Sequence, residues 1–149
     1  MRDKRSQTKR EFLARTGASA YEESLNTIID RILDDNCEIA CYPLKKSSYC
    51  RQDLVDHSIP DHIVIGFACP PKEPLHWIWT ILHEFGHHLS GKPTRDEAVS
   101  VPRERLAWAK AEEELQRYPD LLAHQADFHA LRDFLITDYI EKLGDKEPS

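Results

Sequence analysis

The sequence predicts an α+β fold: an N-terminal helix, a small three-stranded antiparallel sheet, then three helices. Two changes of period carry this. Tyr21, Leu25, Ile28 and Ile32 follow at 4-3-4 spacing, the mark of one helical face, whereas Cys37, Ile39 and Cys41 alternate with Glu38, Ala40 and Tyr42 as in a half-buried strand. Helical periodicity then returns in WIWTILHEFGHHLSG, Trp77 to Gly91, and again in two segments beyond a polar linker.

Taken in order, residues 1–15 are dense in Arg and Lys with little to bury and read as a flexible basic tail, one that could touch nucleic acid or a partner. Residues 16–144 read as a single domain. Ser19 with Glu22 three residues on suggests a capping box, and the helix it opens runs to about Asp35 and stops at Asn36. After the strand at Cys37, a second is expected around Tyr49 to Val55 and a third in HIVIGFA, where Ile63, Ile65 and Phe67 alternate. Turn-like segments at Pro43–Ser48 and Asp56–Asp61 suit an antiparallel meander. Pro70, Pro71 and Pro74 end the sheet. A polar linker, GKPTRDEAVSVP, leads to a helix from about Pro102 to Arg117. One more helix, Asp120 to Leu143, places Leu121, Phe128, Leu131, Leu135 and Tyr139 on a core stripe.

With 149 residues, 40% hydrophobic and 31% charged, the chain has enough to bury for one stable core. A formal net charge of −6 argues against a general nucleic-acid surface. No apolar run matches a membrane span and the first residues lack a signal-peptide core, so a cytoplasmic location is expected. Cys37, Cys41, Cys50 and Cys69 do not have zinc-finger spacing. Cys37 and Cys41, four apart on a strand, stand about 13 Å from each other. Buried free thiols in a reducing compartment account for them, with a second zinc site as the lesser alternative.

The chemistry lies in His83-Glu84-Phe85-Gly86-His87, an H-E-x-x-H sequence. Histidines four apart on a helix differ by about 40° around the axis, so both imidazoles leave one face and can grip one Zn²⁺ at about 2.0–2.1 Å. Glu84 is turned about 100° from His83 and about 60° from His87. It can reach a water on the metal without ligating it, the position of a general base. Ile78, Ile81, Leu82, Phe85 and Leu89 fall on the opposite, core-facing side, and His76, Thr80, His83 and His87 share the polar one. Gly86 lets another backbone approach, and Gly91 stands where a C-terminal cap is expected. The bland alternative is a pair of solvent-facing histidines on a surface helix.

A catalytic zinc takes three protein ligands and keeps one position open. On the next helix Glu104 lies within about 40° of Trp108, Ala111 and Leu115, a carboxylate in an apolar stripe that needs a partner to be buried. A metal is one such partner; alternatively, Glu104 in the first turn only complements the helix dipole. Glu97 and Asp96 are the other candidates, whereas the run Glu112 to Glu114 reads as solvent-facing. Among possible oxyanion donors the sequence offers Tyr118, His124 and His129, with His76 and His88 as outer partners of the metal ligands.

Residues 19–117, with H-E-F-G-H ending an amphipathic helix and Glu104 followed by Trp108-Ala109, resemble the ImmA/IrrE metallopeptidases, zincins of phages and mobile elements. The resemblance implies a zincin-like fold, His83, His87 and Glu104 as zinc ligands, Glu84 as base, and as protein partner a DNA-binding helix-turn-helix repressor, which several members cleave or otherwise inactivate. Glu104-Arg105-Leu106 departs from the Glu-Ala-Asn usual there. A metzincin would need Gly at 90 and His at 93, where this chain has Ser90 and Pro93. The function expected is therefore that of a gluzincin-type zinc metallo-endopeptidase, with the strand at Ile63–Phe67 pairing with an extended peptide substrate. The alternative is a non-catalytic interaction protein that uses the same scaffold to bind a regulatory partner.

Overall fold

The computed structural model describes residues 3–69 and 73–146. Its first element corrects the expectation of a loose tail: Lys4–Thr16 is a helix (α1), capped by Asp3, whose side chain accepts from Arg5 N, and ended by Gly17 at φ +66°. The basic residues are not simply solvated. Arg5 pairs with Asp30 and Asp34, Lys9 with Asp30, and Phe12 is fully buried. The acidic partners lie on the second helix, Glu22–Asp34 (α2), and they cannot be read from residues 1–15 themselves.

A 3-10 turn, Ser19–Tyr21, precedes α2, and neither Ser19 nor its flanks makes a capping box. Thr16 Oγ1 instead accepts from Ala18 N, at 3.2 Å. Leu25, Ile28, Ile29 and Ile32 form the buried face of α2, and the chain leaves the helix through Asn36 at φ 55°, a left-handed value that Asn tolerates well.

The sheet holds β1 (Cys37–Tyr42), β2 (Tyr49–Arg51) and β3 (Asp61–Gly66) in the order β1-β3-β2. β1 pairs with β3 in parallel and β2 with β3 antiparallel, so the sheet is mixed rather than an antiparallel meander. The connection after β1 crosses the end of β3 instead of turning straight back. Gly66 makes this possible: a Cβ there would lie 2.5 Å from the carbonyl oxygens of both Lys45 and Ser47. Ser48 Oγ accepts from Gly66 N, and Phe67 N and Ala68 N bond to Tyr42 O and Lys45 O, closing the crossing. Flanked on both edges, β3 is buried along its whole length.

Helix α3 (Pro74–Leu89) lies against this sheet with Pro74 at its start. Ile78, Ile81, Leu82 and Phe85 are buried as the pattern requires, and so are Trp77 and Trp79, because further helices cover α3 from the other side. A short helix, Arg95–Ala98 (α4), carries the capping box Thr94–Glu97. Then come α5 (Val101–Leu115), capped by Ser100, α6 (Pro119–Leu122) and α7 (Gln125–Lys146). The single C-terminal helix expected from Asp120 is thus two. The break shifts the helical phase: Phe128 and Ile136 face the core, whereas Leu135 is partly exposed and Tyr139 half-buried.

All four cysteines are free thiols, but only Cys37 is buried; Cys41 and Cys50 are half-buried and Cys69 is exposed. Burial, helped by Asp61, pushes the Cys37 thiol up to about 12. Among the described residues no helix is long and apolar enough to cross a membrane.

Candidate metal centre

The site begins with a contact between backbones. A Cβ on Gly86 would lie 2.0 Å from the carbonyl oxygen of Ala107, so α3 and α5 touch there main chain to main chain. One turn earlier on α3 stands His83, and one turn earlier on α5 stands Glu104. The close approach therefore delivers the carboxylate to the imidazoles. His83 Nε2 is 2.9 Å from Glu104 Oε2, and His87 Nε2 is 3.1 Å from Glu104 Oε1. Glu84 is also present: its Oε2 lies 3.4 Å from His83 Nδ1, and its side chain is buried. His83, Glu84 and His87 offer ligand atoms all within 4.8 Å of one another.

Neighbouring side chains fix these groups. Trp108, one turn after Glu104, stacks on the His83 ring at 4.2 Å with 8° between the planes. Arg103 is buried against the C-terminal end of α3, where carbonyls have no partner within the helix. Its guanidinium donates to the carbonyl oxygens of His87 (3.0 Å), Ser90 (3.2 Å) and Gly91, and to Gln52 Oε1 (3.1 Å). A cation at a helix C-terminus also complements the dipole. Arg103 locks the turn that carries His87, and Gln52 links it onward to Asp61 at 2.9 Å.

Electrostatics run both ways at the centre. Burial pulls the His83 imidazole down, but Glu84 and Glu104 outweigh it and raise the group to about 9. Burial pushes Glu104 up, and hydrogen bonds with His83 and His87 more than reverse this, holding it at about 2. Without a cation, the carboxylates keep a proton on His83.

The cluster lies at the meeting point of two lobes of one cleft. A lobe of about 430 Å³ is lined by Lys46, Trp77, Trp108, Leu135, Tyr139 and Lys142. A lobe of about 290 Å³ is lined by Tyr49, Cys50, Gln52, Leu54, Pro93 and Ala98. Ser48, His83, Glu84 and Glu104 line both. A larger hollow, about 470 Å³ between α1 and β1, contains none of the cluster.

Other residues singled out in the sequence lie elsewhere. Glu97 is used in the α4 capping box and Asp96 is exposed on the same short helix. Glu114 is not solvent-facing; it is buried in a two-pronged pair with Arg31 at 2.6 and 2.9 Å. Tyr118 is buried with an unpartnered hydroxyl, and burial with Glu114 pushes it up to about 12. His124 bonds to Tyr21 and His129 to Glu112, and none of these three lines the cleft. His88 bridges Asp61 and Asp35 at 2.7 Å each, tying α3 to the sheet and to the end of α2. The strand Ile63–Phe67 cannot pair with a substrate, since β3 has neighbours on both edges; the free edge beside the cleft is that of β2. Sequence reasoning missed Arg103 and Tyr139. Arg103 gave no signal except its place beside Glu104, and Tyr139 was assigned to the core by a stripe drawn through the helix break.

The fold and the cluster define a His-Glu-x-x-His site of the zincin type, able to hold a metal ion. No protein-family model, curated protein or solved structure matches the chain.

Two outcomes follow from this geometry. Gly86→Ala should destabilise the fold by up to about 2 kcal/mol in urea unfolding, an overpacking cost of about 1–3 kcal/mol less a gain in helix propensity of about 1 kcal/mol. A midpoint raised by the full helix-propensity gain would mean that α3 and α5 do not touch there. In the metal-free protein, the raised His83 contributes stability that is full below about 6.5 and lost as pH rises through about 9. Glu104, held low, contributes stability that is full above its usual value and lost as pH falls through about 2. Unfolding with a chelator present should therefore become easier by on the order of 1–3 kcal/mol between pH 6 and 9, with a smaller change in Glu104→Gln, where Glu84 alone remains to raise the imidazole.

Proposed function

We propose that the protein is a zinc-dependent endopeptidase of the gluzincin type, with His83, His87 and Glu104 as ligands and Glu84 as general base. One observation carries the reading: two imidazole nitrogens from one helix converge on a single carboxylate from another, where two lobes of an open cleft meet. The donor set suits zinc: two imidazoles and one carboxylate, with Glu104 2.9 and 3.1 Å from the two ring nitrogens and so within reach of whatever ion they hold.

Bound at these ligands, Zn²⁺ supplies Lewis acidity and brings the pKa of water towards 7. The buried Glu84 carboxylate takes the proton from the attacking water and passes it to the leaving amine. Trp108 holds the His83 ring, and Arg103 holds the turn behind His87. The β2 edge receives the substrate backbone as an added strand. Pockets on both sides of the centre fit cleavage within a chain. Tyr139, the only tyrosine lining the larger lobe among the described residues, donates its hydroxyl to the developing oxyanion. The resemblance of residues 19–117 to the ImmA/IrrE metallopeptidases makes a helix-turn-helix repressor the first substrate to try.

Glu84→Gln should retain one zinc by elemental analysis yet lower kcat by roughly 10²–10⁴-fold. Loss of zinc in that variant would move Glu84 into the ligand set. Retained zinc and partner binding with no cleavage by the unmodified protein would favour the non-catalytic reading. Tyr139→Phe should lower kcat about 10²–10³-fold with little change in KM; an unaltered kcat would remove Tyr139 from the chemistry.

A further inference from the structure

A second cluster lies at the other end of α3. Glu73, His76 and Asp127 present ligand atoms all within 4.8 Å of one another, drawn from the residue before α3, its first turn and the first turn of α7. We propose that these three side chains hold a second divalent cation, of the zinc class, distinct from the one in the cleft.

Glu73 occupies the N-cap position of α3 in extended conformation, yet its side chain makes no capping hydrogen bond. The carboxylate is therefore not spent on the N–H groups of the helix and lies near Asp127 and His76. Two carboxylates this close repel each other and favour a cation between them. His76 Nε2 stands 3.4 Å from Asp127 Oδ2, longer than the about 2.7–2.9 Å of a closed charge-assisted hydrogen bond. It is close to the about 3.3 Å expected between two ligands of one tetrahedral ion. The indole Nε1 of Trp79, outside the cluster and fully buried, donates to the same Asp127 oxygen at 2.9 Å. This is the kind of outer hydrogen bond that orients a ligating carboxylate.

One imidazole with two carboxylates selects zinc and its first-row neighbours over magnesium or calcium, which take all-oxygen sites. Partial exposure of His76 and Asp127 leaves room for water to complete the coordination. His76 and His83 are seven residues apart on one helix, about 10 Å along its axis, so they cannot share one ion. An ion here clips the start of α7 to the start of α3. Farther along, α7 carries Leu135 and Tyr139 into the cleft wall, so occupancy would steady that wall.

The test removes the cleft site first. A His83→Ala/His87→Ala protein titrated with Co²⁺ should still bind one equivalent, read from its visible absorption and from quenching of tryptophan fluorescence. Adding His76→Ala or Glu73→Gln should weaken that binding at least tenfold; Glu73 is exposed, so its variant guards against misfolding. Unmodified protein should carry two zinc ions at saturation and the His76→Ala variant one. No Co²⁺ binding in the double variant, or binding that survives both added changes, would overturn the second site and reduce the cluster to a His76–Asp127 ion pair. Because peptidase activity is not the readout, this result is independent of whether the cleft proves catalytic.

Discussion

The centre depends on two main chains being allowed to touch. With hydrogen in place of a methyl group at Gly86, the α5 backbone can come against α3 at Ala107. A pair of helices at ordinary separation, about 8–10 Å, would leave Glu104 short of the imidazoles. Glycine weakens the helix it sits in, by about 1 kcal/mol, and here that cost goes into a geometry no other residue permits. Trp108 and Ala107 follow on the same helix, so the contact that brings up the carboxylate also seats an indole on His83.

Around this contact the buried charges are arranged in complementary sets. Arg103 satisfies the carbonyls that end α3, and His88 joins two carboxylates from the sheet and from α2. Lys92 adds an ion pair with Asp61 at 3.3 Å. Every one of these links anchors the turn just after His87. A side chain placed by such a frame has little freedom left to lose, which is the physical content of preorganisation.

The sheet contributes position rather than chemistry. Because the chain crosses over Gly66, β3 becomes the buried centre and β2 a short outer strand beside the cleft. Had the strands followed one another as a meander, β2 would have lain in the middle with no free edge to offer. The α1 helix, held by ion pairs between its basic residues and the acids of α2, closes the far side of the same core.

Much of this was legible in the residues themselves. The 3.6-residue period around His83 and His87, and the carboxylate of Glu104 set in an apolar stripe, follow from helix geometry that acts over a few residues, so a local reading finds them. The same holds for Gly86, whose missing side chain signals a close approach without saying to what. What lies far apart along the chain was not legible. That basic residues at 5 and 9 meet acids at 30 and 34, that β1 runs parallel to β3, and that Tyr139 faces the cleft depend on chain crossings and on a helix break that no local period shows. Sequence alone determined which side chains could share a face. Only the tertiary structure decided which faces meet, because that choice rests on packing between elements and not on the period within any one of them.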